Sequence, residues 1–136
     1  MACFKAFKCL RPVPEKAARI AALPYDVYSR EEAAEEVRRE PLSFLAIDRA
    51  ETAFAPSVDT YDPRVYLKAA ELLEERVENG DFTEDPEEVY YIYELTMEGR
   101  AQTGIVGCAS AEDYENGVIK KHENTLESKE EDRVRH

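Results

Sequence analysis

The chain predicts an α+β fold, a mixed or antiparallel sheet with flanking helices, and three features carry that expectation. Ser29 with Glu32 three residues later opens a run of strong helix formers that Pro41 closes. Asp62 and Pro63 open a second run in which Tyr66, Ala69, Ala70, Leu73 and Val77 recur at helical spacing, with Asn79–Gly80 as the stop. Residues 88–97, EVYYIYELTM, and 99–110, GRAQTGIVGCAS, are rich in β-branched and aromatic side chains and meet at Glu98–Gly99, the pattern of an antiparallel hairpin.

Taken in order, residues 3–10 (CFKAFKCL) alternate as a short strand, and Pro12, Pro14 and Pro24 interrupt regular structure as far as Ser29. The helix over about 29–40 has a thin apolar face of Ala33, Ala34 and Val37, which places it on the surface. SFLAID, residues 43–48, reads as a strand, with helix as the alternative, and Arg49 to Tyr61 reads as a long loop. The second helix covers about 63–79. In the hairpin, Val89, Tyr91, Tyr93, Leu95 and Met97 share one face, while Tyr90 and Ile92 keep the other partly apolar. Cover on both sides, and core packing for the tyrosine run, are therefore expected. Gly104 and Gly107 imply bulges or close backbone approach in the second strand. Ser110 caps a short turn before Gly117, VIKK (118–121) reads as a last strand, and HENTLESKEEDRVRH begins a highly charged helix capped at Thr125.

A length of 136 residues suits one α/β domain over 1–136, or the N-terminal fragment of a longer one. With 43% hydrophobic and 35% charged residues the composition is that of a globular protein. The net charge of -12 argues against DNA as a partner, because phosphate contacts supply most nucleic-acid affinity and an acidic surface repels them. No stretch approaches the roughly 20 apolar residues of a membrane span, and MACFKAFKCLRP lacks the apolar run of a signal peptide. Cys3, Cys9 and Cys108 are odd in number and scattered, which suggests neither a disulfide framework nor a zinc site. A soluble, cytoplasmic protein is the expectation.

Chemistry concentrates in KKHENT, residues 120–125, between a predicted strand and a predicted helix, where backbone amides and a helix dipole favour anions. Lys120 or Lys121 would bind phosphate, with Thr125 at the helix start, and Glu123 or His122 would serve as general acid or base. Strand alternation would send Lys120 and His122 to one face, Lys121 and Glu123 to the other. A solvated strand exit with a helix cap is the structural alternative. In LPYDVYS, residues 23–29, Asp26 offers a carboxylate on a proline-ordered segment feeding a helix; stabilising a turn is its plainer role. The acidic tracts lack the interleaved pattern of a calcium loop, and no GxSxG, P-loop, GxGxxG or HExxH occurs.

Together the stretches FKAFKCLRP, LPYDVYSREEA, EPLSFL, YDPRVY, YYIYELTMEGRAQTGIVGCAS and VIKKHENTLESKEEDRVRH resemble, in order and over essentially the whole chain, a bacterial and archaeal family, the domain of unknown function numbered 1015. That resemblance implies likeness to the SpoOJ/ParA/ParB/RepB group, and a ParB/sulfiredoxin-like fold incomplete at its C-terminus. The family's later half carries a DGHHR-like motif related to the phosphate-binding region of ParB, sulfiredoxin and free serine kinases. This chain ends at His136 before that motif, so the sequence reads as the front part of a longer protein. The resemblance implies a nucleotide such as ATP or ADP as ligand and a small hydroxyl substrate. Lys120, Lys121, Thr125 and Asp26 then bind nucleotide or phosphate, and Glu123 and His122 act in catalysis. Two other expectations stand beside it: a DNA-associated partitioning or regulatory protein, and an interaction module or homodimer built on the hairpin.

Overall fold

The computed structural model describes residues 1–120 and residue 131. In chain order the elements are β1 (Phe4–Lys5), β2 (Leu10–Pro12), α1 (Pro14–Ile20), a 3-10 turn (Tyr25–Val27), α2 (Arg30–Arg39) and α3 (Leu45–Asp48). A second 3-10 turn (Ala50–Ala53), α4 (Pro63–Glu78), β3 (Phe82–Glu84), β4 (Tyr91–Met97), β5 (Arg100–Val106), β6 (Cys108–Ala109) and α5 (Ala111–Glu115) follow. The class is α+β. Among the described residues, in place of one sheet, there are three two-stranded ribbons, β1 with β6, β2 with β3 and β4 with β5. The chain forms two compact units, Met1–Leu10 with residues 84–120, and Arg11–Thr83.

Local signals build the helices of the second unit. At α2 the capping box is complete: the Glu32 amide donates to Ser29 Oγ and the Ser29 amide to Glu32 Oε2 at 2.8 Å. At α4 the Arg64 amide donates to Asp62 Oδ1 at 2.9 Å, Pro63 fills the first helical position, and Gly80 at φ 69° lies beyond the end. Pro14 does the same for α1, so that proline starts a helix instead of interrupting one, contrary to the sequence expectation.

SFLAID contains a helix, with Leu45, Ala46 and Ile47 all buried. A continuous apolar run covered on every side carries no alternation, so its period does not separate strand from helix, and the surrounding contacts decide. Ile20, Ala33, Leu45, Ala46, Ile47, Ala50, Val65 and Phe82 form the core, with the Phe44 and Phe82 rings edge to face at 6.1 Å. Buried Arg76 of α4 ties down the 41–43 segment by donating to the carbonyls of Pro41, Leu42 and Ser43. Within the presumed loop 49–61, Ala50 and Glu51 are buried on the second 3-10 turn.

The first unit centres on the hairpin. β4 and β5 pair in unbroken register from Tyr91↔Val106 to Met97↔Arg100. Glu98 at φ 52° and Gly99 at φ 77° make the tight turn that matches strand twist. At its base the strands diverge, and residues 4–7 lie between their continuations: β1 pairs with β6, and Phe7 exchanges both amide bonds with Val89. The initial strand expected over 3–10 is therefore split between β1 and β2. Gly107 explains the approach. A Cβ there would stand 2.6 Å from the Phe4 ring and 2.9 Å from the Lys5 carbonyl oxygen. Gly104 sits in regular register, without the bulge expected of it.

The hairpin is not covered on both sides. Ile92 is 71% and Met97 77% exposed, and Tyr90 and Tyr93 are more than half exposed, so core packing of the tyrosine run is overturned. Only Tyr91 is drawn in, its ring edge to face with Phe7 at 5.0 Å. Among the described residues, every buried apolar side chain belongs to the second unit. Ser110 caps α5 as expected. Val118 to Lys120 form no strand, so the alternation expected for Lys120 onward lacks a strand to rest on; Ile119 instead donates its amide to the Asp113 carbonyl. The charged segment from Lys121 and its cap at Thr125 lie outside the described residues.

Candidate functional site

The segment of the second unit that bears Asp26 is held by side chains remote in sequence. Pro24 sets the entry, Tyr25–Val27 makes a single 3-10 turn, and Ser29 begins α2. That turn is fastened by a side chain remote in sequence. Arg49 Nη1 donates to the carbonyl oxygens of Tyr25 at 3.0 Å and Tyr28 at 2.8 Å. Its Nε meets Glu51 Oε1 at 2.6 Å, and the Glu51 side chain is 1% exposed. Arg30 extends the arrangement, donating to the carbonyls of Val58 at 2.7 Å, Ala55 at 3.2 Å and Glu51 at 3.3 Å. Two guanidinium groups thus reach five carbonyls, of which those of Glu51 and Ala55 also accept backbone amides. A buried charge is tolerated when it is paired, as Glu51 is with Arg49.

The turn so held turns Asp26 outward. Its carboxylate is exposed and makes no hydrogen bond among the described residues. Between the same segment and α2 runs a groove lined by Leu23, Val27, Tyr28, Glu32, Glu35, Glu36 and Arg39. Arg39 is already paired with Glu36 at 2.6 Å, and Glu32 is held below the usual carboxylate range by the Ser29 amide and then by its hydroxyl. The groove is accordingly acidic with apolar walls. Such a surface attracts hydroxyl, amino or cationic groups and repels phosphate. A smaller cleft on another part of α2 is lined by Arg30, Ala34, Arg38, Thr52 and Phe54. Among the described residues no three His, Cys, Asp or Glu side chains are arranged to hold a metal ion.

Asp26 belongs to the second unit and Lys120, exposed, to the first. Lys121, His122, Glu123 and Thr125 lie outside the described residues. Reasoning from sequence missed Arg49, Arg30 and Glu51. The available signal was a pair of opposite charges two residues apart inside the alanine-rich run AIDRAETAFA, where solvated charge is out of place.

In the first unit a second polar cluster forms around Tyr91. Its hydroxyl donates to Asp85 Oδ2 at 2.5 Å and also lies 3.1 Å from the Phe7 carbonyl oxygen, while the Asp85 amide donates to Cys9 O at 3.0 Å. Burial, then the Asp85 carboxylate, pushes the phenol up to about 12. A phenol so far above neutral pH stays protonated; it is a structural donor and not a base.

No described helix is long and apolar enough to cross a membrane. No curated protein and no solved structure matches the chain. One family profile does, that of a protein of unknown function, over residues 4–136. That match spans both compact units, the arginine-held turn and the hairpin, and by it the chain belongs to the family DUF1015.

Proposed function

We propose that this chain takes part in binding a nucleotide or a related small hydroxyl-bearing molecule, as a ParB/sulfiredoxin-like protein would, and in transferring phosphate to a small hydroxyl. The presentation of Asp26 carries the reading. A buried Arg49–Glu51 pair holds one exposed turn, and the carboxylate at its crest is left without a partner among the described residues. Pre-organised loops on rigid scaffolds are where binding groups concentrate. The acidic groove between residues 23–28 and α2 suits the sugar or hydroxyl part of a ligand. Phosphate contact is proposed separately for Lys120, Lys121 and Thr125, and acid–base work for Glu123 and His122, on the chemistry of those side chains. A partitioning role on DNA is disfavoured by the net charge of -12.

The test is calorimetric titration of the protein with ATP and with ADP, for wild type, Asp26→Asn and Lys120→Ala. Loss of one hydrogen bond to a charged group predicts roughly tenfold weaker binding for Asp26→Asn with an unchanged melting temperature. Equal affinity in wild type and Asp26→Asn removes Asp26 from the site, and no binding by wild type removes the nucleotide reading.

A further inference from the structure

The β4–β5 hairpin poses a problem of its own. Its strands are seven residues each, both faces are open, and isolated two-stranded ribbons are marginal in water. Cover over one face would stabilise it, and Gly104 points to the occupant. Gly99 is required by its positive φ and Gly107 by the Phe4 ring, but Gly104 has neither reason: its φ is ordinary and a Cβ there would meet nothing within 4 Å. A strand loses stability by carrying glycine, so its smallness calls for another reason.

Directly across the ribbon from Gly104 is Tyr93, on the same face and 57% exposed. The face therefore bears a knob and a notch at one level, side by side. Leu95 stands opposite Gln102, and Met97 opposite Arg100, on the same face. We propose that this face is a homodimer interface, occupied by the same face of a second copy. The two copies are related by a two-fold axis running along the hairpin. That operation lays β4 of one copy over β5 of the other at equal height, so each Tyr93 enters the notch of its partner's Gly104. An isologous contact requires such self-complementarity.

Charge selects the same occupant. The chain has 30 acidic residues and a net charge of -12, so two copies repel wherever carboxylates meet. The Tyr93 face carries none between Tyr91 and Val106 and holds one cation, Arg100, which the two-fold sets against Met97 and not against its own copy. The opposite face is less suitable, since Glu94 sits at its centre and accepts a hydrogen bond from the Thr103 hydroxyl. Tyr93, Leu95 and Met97, at 57%, 57% and 77% exposure, are the apolar side chains such an interface would bury. Stacked ribbons would align within about 30° at a spacing of about 10 Å.

Sedimentation velocity over a concentration series, on wild type, Gly104→Val, Leu95→Glu and Ile92→Glu, tests this. Wild type is expected to pass from monomer to dimer as concentration rises. Gly104→Val fills the notch, where a Cβ meets nothing within 4 Å, and should dissociate the dimer at least tenfold more readily while keeping the wild-type circular dichroism spectrum. Leu95→Glu should be monomeric, and Ile92→Glu, on the opposite face, should dimerise like wild type. A wild type that stays monomeric at its highest soluble concentration overturns the proposal. So does a dimer that Gly104→Val leaves intact, or one that only Ile92→Glu breaks. A wild-type monomer that instead joins a different chain through Leu95 assigns the face to another occupant and overturns it equally.

Discussion

Arg49 and Tyr28 are 21 residues apart in sequence and joined by a hydrogen bond of 2.8 Å from Nη1 to the Tyr28 carbonyl oxygen. The same nitrogen reaches Tyr25, and Nε is bound to Glu51, so a single side chain couples the buried second 3-10 turn to the exposed one. Arg49→Met would leave Glu51 buried and unpaired, and breaking a buried pair in this way costs about 3–5 kcal/mol. Arg49→Met/Glu51→Met, which removes both charges, should recover much of that loss. Urea denaturation of the three proteins measures it, and a loss below about 1 kcal/mol for the single variant would show that the pair does not hold the turn.

The cap of α2 is a smaller and separate contribution. Ser29→Ala removes the acceptor for the Glu32 amide and should destabilise by about 1 kcal/mol. Thermal unfolding checks this, with Ser29→Asp, which keeps an acceptor, expected to stay near wild type.

Gly104 and Gly107 should respond in opposite ways. Gly107→Ala drives a Cβ to 2.9 Å from a backbone oxygen and 2.6 Å from the Phe4 ring, and overpacking of this kind costs about 1–3 kcal/mol. Gly104→Ala meets nothing and relieves a glycine in a strand, for a gain of about 0.5–1 kcal/mol in the dilute monomer. Amide hydrogen exchange in β4 and β5 reports both; equal effects at the two sites would contradict the wedge of residues 4–7.

Asp62 links the start of α4 to pH. Its carboxyl is lowered from 3.8 to about 2, first by the Arg64 side chain and then by the Arg64 amide. A folded value below the unfolded one means the unfolded state takes up the proton first as pH falls. The stabilisation is present above 3.8 and is lost as pH falls toward about 2. Asp62→Asn should therefore show a shallower loss of stability over that window than wild type, read by acid titration of the circular dichroism signal.

Tyr91 acts at the other end of the scale. Raised to about 12, its phenol stays neutral in the folded protein where an unfolded chain would ionise near 10. Stability from this group is present below 10 and declines as pH rises toward about 12. Tyr91→Phe should remove the decline, and ultraviolet titration of the phenolate should show one tyrosine ionising late in wild type.

The candidate site was legible only in part. Asp26 stood out because a proline, a turn and a helix start converge on it, all within six residues. Its anchors did not, because Arg49 and Arg30 act on carbonyls up to 28 residues away and spacing says nothing about such distances. The faces of the hairpin were legible as well, since alternation sets them, but their exposure was not.

What the sequence by itself determined are the features whose physics is complete within a few residues. The Ser29–Glu32 box, the Asp62–Pro63 start, the Gly80 stop and the Glu98–Gly99 turn each satisfy backbone groups or dihedral limits locally. Only tertiary structure decided that SFLAID is helical, that residues 4–7 part the base of the hairpin, and that Arg49 fastens the turn beneath Asp26. Burial on all sides erases periodicity, and a charge finds its partner across space, so neither leaves a period or a spacing along the chain to be read.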